Sequence, residues 1–327
     1  MTSLVSEMAE ARSRWTGRPL HQWYTPEQAR SRREIAMFEQ AARVADEDFG
    51  RAFRDLMGGG VVAYPLAWAN RRIELSDGHW CITGIRFRGL DVTKPFVDVV
   101  ATSLPPEADA LARLADAVVP RYAAFAPLAL RVDAPEPAVL VDAAREHPWF
   151  AGASVDQYAV AALVADLRAR PRHAAYDRVA LQESEVDHAQ RACARLYAEA
   201  AARRPDLDMW ATPSTADELQ DCAAEGLLFT VTVDGVGAGV VAARRDDDRA
   251  MTGLVVQEIV LDDVHRGRRL APAVLQRLVD ELPGGDGDTL WGTIHADNQP
   301  SLRNALSTGR VIVGGDVWLT PPGLAGM

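Results

Sequence analysis

The sequence predicts an α+β fold on a mixed sheet, arranged as two halves of similar element order. Three observations carry this. The stretch 253–282, GLVVQEIVLDDVHRGRRLAPAVLQRLVDEL, reads as a buried strand, a basic loop and an amphipathic helix in immediate succession. The 96–132 stretch repeats the strand, helix, strand order of that region. At 327 residues and 48% hydrophobic, the chain is long enough for two cores.

In chain order, residues 1–57 have helical composition. Thr25-Pro26-Glu27 supplies a cap and a first-turn proline, and the helix is expected to run as far as Met57, before Gly58-Gly59-Gly60. No Lys-Ser/Thr follows the glycines, so they lead into a strand and do not form a phosphate loop. Strands are expected in VVAYPLAW, HWCITGIRF and FVDVVATS, then a helix over 108–119, a strand in PLALRV, a helix over 137–145 and a strand in QYAVAAL. LRARPRHAAYD, with Pro171 and His173, reads as a linker. This sets the domains at 1–170 and 174–322.

In the second half a strand is expected over 176–181, a helix over 185–202 capped by Ser184, and a helix over 215–225. Asp234-Gly235 joins a hairpin of 227–233 and 236–244. After the motif strand, Pro272 places the next helix start at about residues 269–271, since proline fits a helix only in its first turn. A strand over 289–294, a helix over 301–308 and a strand near 317–319 follow.

The basic loop lies across a helix N-terminus, whose unpaired N–H groups and positive dipole end favour a phosphorylated ligand. Arg266-Gly267-Arg268-Arg269-Leu270-Ala271 resembles the acyl-CoA pyrophosphate loop of the GNAT superfamily of N-acetyltransferases, Arg/Gln-x-x-Gly-x-Gly/Ala, with Arg269 at the glycine position. Asn298-Gln299-Pro300-Ser301 with Gly309 resembles the superfamily's next signature. The tyrosine usual seven residues after the asparagine is Ala305, no tyrosine follows Tyr197, and Arg310 replaces an aromatic after the glycine. The first half is then either a degenerate copy of this fold or an unrelated α+β domain. Its corresponding loop, Leu104-Pro105-Pro106-Glu107-Ala108-Asp109, is acidic and would repel pyrophosphate.

The resemblance implies acetyl-CoA or another acyl-CoA as cofactor. Amides from Ile259, Val260 and Leu261 would hold pantetheine, and Arg266 to Ala271, with Asn298 and Ser301, would line the cofactor site. Ser301 could equally cap the short helix. Glu258, an acid inside an apolar strand, is the candidate general base; the alternative is a structural ion pair with an arginine. His295 is the second catalytic candidate, against an ordinary hydrogen-bonded histidine. His265 is read as packing, Cys193 and Cys222 as buried inert thiols, and Trp210, Trp291 and Trp318 as packing residues. Asp206 and Asp208 could attract a cationic amine.

A net charge of −11 argues against nucleic acid as a main partner. No apolar run is long enough to span a bilayer, no secretory start is legible, and the three cysteines lack metal spacing. The expectation is a cytoplasmic acyltransferase acting on a small-molecule amine, without a metal, its N-terminal half supplying scaffold and a cleft wall, with a homodimer left open. The alternative is a non-catalytic acyl-CoA sensor or scaffold.

Overall fold

The computed structural model describes residues 2–59, 62–204, 211–285 and 287–327. The chain divides into one unit of Met1–Tyr158 with Val313–Met327, and a second of Ala159–Ile312.

The first unit begins with α1 (Thr2–Arg12), α2 (Arg18–Trp23), α3 (Pro26–Ala42) and α4 (Glu47–Leu56). The expected single helix up to Met57 is two helices. Ala45 turns left-handed (φ 54°) and the Asp46 carboxylate caps α4 by accepting from the N–H groups of Asp48 and Phe49. No proline or glycine marks that break, so only the cap chemistry could have disclosed it. Thr25 and Gln28 form the capping box of α3. Thr25→Ala should lower stability by about 1 kcal/mol, read by urea denaturation.

β1 (Arg71–Glu74), β2 (Trp80–Phe87) and β3 (Pro95–Thr102) form an antiparallel meander; α5 (Ala108–Val118) then crosses to β4 (Ala129–Ala134), parallel to β3. α6 (Pro137–Glu146) and β5 (Gly152–Leu163) follow, and β11 (Val311–Thr320) pairs antiparallel with β4. Leu111, Leu114 and Val118 of α5 and Leu140 and Val141 of α6 bury against Ile85, Val97 and Leu130 of the sheet. The strand expected in VVAYPLAW is absent over its described residues. Pro65–Ala67 form a 3-10 turn, and Trp68, 1% exposed, packs edge-on against Phe125. The edge strand is instead the charged RRIE of β1, which offers a pattern search only Ile73 as a buried residue.

In the second unit, α7 (Val164–Arg168) precedes β6 (Val179–Glu183), α8 (Val186–Ala201), α9 (Ala216–Ala224), β7 (Leu228–Val233), β8 (Val236–Arg245) and β9 (Gly253–Leu261). β6 to β9 are antiparallel, α10 (Ala271–Glu281) crosses over, and β10 (Thr289–His295) runs parallel to β9. α11 (Gln299–Ser307) completes the unit, and the β5 residues from Ala159 onward lie beside β10. Meander, crossover helix, parallel strand and second helix thus occur in both units in the same order.

Apolar residues on α10, namely Val274, Leu275, Leu278 and Val279, cover one face of this sheet with Leu254 and Leu290. Ala189, Cys193 and Leu196 of α8 and Leu219 and Cys222 of α9 cover the other with Val240 and Val260. Ser184 does not cap α8: Glu185 holds that position, and the Ser184 hydroxyl accepts from Thr230 across the neighbouring strand. Among the described residues no helix is long and apolar enough to cross a membrane.

Candidate active site

β9 stays paired with β8 from Leu254 to Leu261, apart from one irregularity, but with β10 for only three residues, Gly253 to Val255 against Thr289 to Trp291. From Val256 to Leu261 the edge that faced β10 has no strand on it among the described residues. Alternate residues of a strand point their N–H and C=O groups to opposite edges, so part of this backbone is left for other partners.

Opposite this gap the β8–β9 ladder slips by one residue. Ala242 pairs with Glu258 and Ala243 with Val256, leaving Gln257 as a bulge. Side chains after it change face. Val256 packs with the α10 side, whereas Val260 joins the α8 side. Glu258 follows: the Tyr197 hydroxyl on α8 donates to its Oε1 at 3.0 Å, and Ser214 donates to Oε2 through its N–H at 3.3 Å and its hydroxyl at 3.4 Å. Glu258 is 4% exposed. Burial pushes its carboxyl up from the ordinary value, opposed by the hydrogen bonds from Ser214, Tyr197 and the Ile259 N–H. Among the described residues its partners are hydroxyls and amides, so the structural ion pair with an arginine is not formed. The same burial, with Glu258 beside it, pushes the Tyr197 phenol far up and keeps it protonated.

Tyr197 and Ser214 were missed in the sequence. Tyr197 stands one turn beyond Cys193 on the stripe of α8 that faces the sheet, a spacing that could have suggested it. Ser214 lies just ahead of a helix start and carried no signal. Cys193 and Cys222 are fully buried, and burial pushes both thiols up to about 12, as inert thiols require.

The remaining expected residues divide. Ile259 gives its N–H to Glu258 Oε1 at 3.0 Å, so this amide is already occupied, and the Leu261 carbonyl accepts from Arg266 Nε at 2.7 Å. Val260 is buried on the α8 side. Arg266 also pairs with Asp263 at 3.3 Å, and Arg203 at the end of α8 pairs with the same carboxylate. His265 bonds Asp262 at 2.6 Å. Gly267, Arg268 and Arg269 are exposed, while Leu270 sits 1% exposed in the core at the N-cap of α10. Among the described residues no side chain caps α10, so its leading amides, which directly follow the arginine-bearing loop, are left without a side-chain acceptor. Arg269, at the position where the motif carries glycine, has φ 57°, the left-handed conformation that a glycine adopts freely.

Asn298, not Ser301, caps α11: its Oδ1 accepts from the Ser301 N–H. His295 ends β10, its Nδ1 accepting from the Asp297 N–H at 3.2 Å, and among the described residues the hydrogen bonds of Glu258 come from Tyr197, Ser214 and the Ile259 N–H. Gly309 (φ 107°) closes α11. Its N–H reaches the Leu306 carbonyl while the Arg310 N–H reaches that of Ala305, a pairing that needs a left-handed residue at the turn. Trp291 donates to the Asp246 carbonyl and Trp318 packs edge-on against Phe96. Asp206, Asp208 and Trp210, and Gly60 of the glycine run, lie outside the described residues. In the first unit the equivalent helix start carries Glu107 at the N-cap of α5 and Asp109 in its first turn, acids where an anion would have to sit.

No protein-family model and no curated protein matches the sequence. Solved structures do. A GCN5-related N-acetyltransferase from Sphaerobacter thermophilus is 13% identical, with 74% of this chain and 76% of that one covered at a TM-score of 0.48. A GNAT-family acetyltransferase from Colwellia psychrerythraea is 12% identical, covering 84% and 96% at 0.47. A tandem GNAT protein from the clavulanic acid biosynthesis pathway is 14% identical, covering 76% and 81% at 0.40.

Proposed function

We propose that the second unit is an acyl-CoA-dependent acyltransferase acting on the amine of a small molecule. The observation that carries this reading is the divergence of β9 and β10 after Val255 and Trp291, which leaves an open backbone edge between Glu258 and the uncapped start of α10.

The residues at the helix start fit a diphosphate. The leading N–H groups of α10 lack a side-chain acceptor, and Arg268 and Arg269 lie exposed beside them. Acetyl-CoA, or another acyl-CoA, would supply a thioester carbonyl activated for attack. The amine nitrogen forms its C–N bond as the C–S bond breaks; Glu258 takes the proton that the nitrogen sheds, directly or through water, and the thiolate is protonated by solvent. Tyr197 and Ser214 are positioning residues that hold the carboxylate through hydrogen bonds. His295 remains a candidate for relaying a proton out of the site. The expected setting is the cytoplasm, without nucleic acid, membrane or metal as partners; a homodimer stays open.

Titration calorimetry with acetyl-CoA tests the reading. Wild type should bind, and Arg268→Ala/Arg269→Ala should bind about tenfold or more weakly with little change in Tm, whereas Arg266→Ala should also lower the Tm because it loses the Leu261 carbonyl and Asp263. No binding at millimolar ligand would end it. The competing reading, a non-catalytic acyl-CoA sensor, is favoured by Ala305, fully buried where the superfamily's phenol is expected. Free CoA release over a panel of amino acids, polyamines and aminoglycosides separates the two: turnover selects the enzyme, and binding without turnover the sensor.

A further inference from the structure

Arg310 follows the Gly309 turn and is 5% exposed. Among the described residues its Nε has no hydrogen-bond partner and no carboxylate pairs with its guanidinium; burial alone pushes its pKa down to about 10. An uncompensated buried cation is strongly disfavoured, so its retention calls for a compensating anion. Its position shows where that anion would enter. A Cβ built on Gly292 would stand 3.7 Å from the Arg310 terminal nitrogen and 3.9 Å from the Val256 carbonyl oxygen. Gly292 and Val256 are the first residues beyond the last β9–β10 pair. The guanidinium therefore reaches the root of the gap between the strands, where the missing side chain of Gly292 leaves it room. The helix start of α10 lies at the far end, past Leu261, about 15 Å or more along the strand.

We propose that Arg310 forms a carboxylate-binding subsite at the root of the β9–β10 gap, selecting a ligand that carries a carboxylate on the transferred acyl chain or on the acceptor amine. The planar guanidinium fork suits a carboxylate, and a phosphate group held at the α10 start could not reach it. The assignment rests on the acyltransferase reading for its two sources and on Arg310 itself for the anion.

The test uses the full chain and its Arg310→Met and Arg310→Lys variants in calorimetry and thermal unfolding. One arm compares succinyl-CoA with acetyl-CoA; the second compares glycine with glycinamide in the presence of CoA; a third adds succinate alone. Wild type should prefer the carboxylate form by about tenfold in one of the first two arms, which names the source. Arg310→Met should lose that preference, keep its CoA affinity and unfold at higher temperature than wild type without ligand, whereas Arg310→Lys should keep part of the preference. If CoA compounds fail to bind but succinate still raises the Tm of wild type and not of Arg310→Met, the subsite stands and the acyltransferase reading falls. If CoA compounds bind without preference in either arm, or Arg310→Met keeps the preference, or it unfolds at lower temperature because the guanidinium has a protein partner, the subsite is overturned.

Discussion

Glu258→Gln should reduce kcat/KM for amine acylation by about 10²- to 10⁴-fold while leaving CoA affinity unchanged, because the amide cannot accept the ammonium proton. The glutamine oxygen can keep the bonds from Tyr197 and the Ile259 N–H, while its amide nitrogen can donate to the Ser214 hydroxyl but cannot accept from the Ser214 N–H; against that lost bond the variant removes a carboxylate that burial disfavours. The sign follows from the raised folded-state pKa. Folding favours the protonated form, so this group's contribution is fully present below its unfolded value and is lost as pH rises through the folded one. The Tm of Glu258→Gln minus that of wild type should therefore be larger at pH 8 than at pH 5. Wild-type activity should rise with pH along a limb displaced above the usual carboxylate range, and the variant should lack that limb. An unchanged kcat/KM would remove Glu258 from the chemistry.

Gly253→Ala should destabilise the second unit by about 3 kcal/mol, a fall in Tm of about 6–12 °C. Gly253 pairs with Thr289 where β9 and β10 first meet, and an added Cβ would stand 2.1 Å from the Thr289 carbonyl oxygen and 2.6 Å from its nitrogen. These are backbone atoms of the paired strand, so relief means parting β9 from β10 at one of their only three pairs. Gly285→Ala, which meets nothing within 4 Å, is the control and should be near neutral. Thermal unfolding of the two variants side by side checks this, and equal Tm values would contradict the geometry.

What the residues disclosed and what they hid follows physical lines. The motif strand, the α10 start at Pro272 and the hairpin through Asp234-Gly235 were legible because apolar period, proline and turn chemistry are local signals. The mixed α+β class followed from their order. The split between α3 and α4, the edge strand β1 and the true cap of α11 were not legible, since each depends on which of several competent side chains the fold engages. At the site, Glu258 stood out as an acid in an apolar strand. Its partners Tyr197 and Ser214 come from positions 61 and 44 residues away; helical spacing puts Tyr197 on the sheet-facing stripe of α8, but no local pattern joins either residue to Glu258. Arg310 registered only as a departure from an expected aromatic; its solitude becomes visible once its surroundings are known.

The bulge at Gln257 determines which layer of the unit receives the acid. Strict alternation would carry Glu258 round with Val256 into the hydrocarbon packed beneath α10, away from both hydroxyls. The acid's placement is thus written as a count of residues and not as their kind. For a lineage of such chains, the shortest route to silencing the site is a single lost codon in β9, with every chemically meaningful side chain still present.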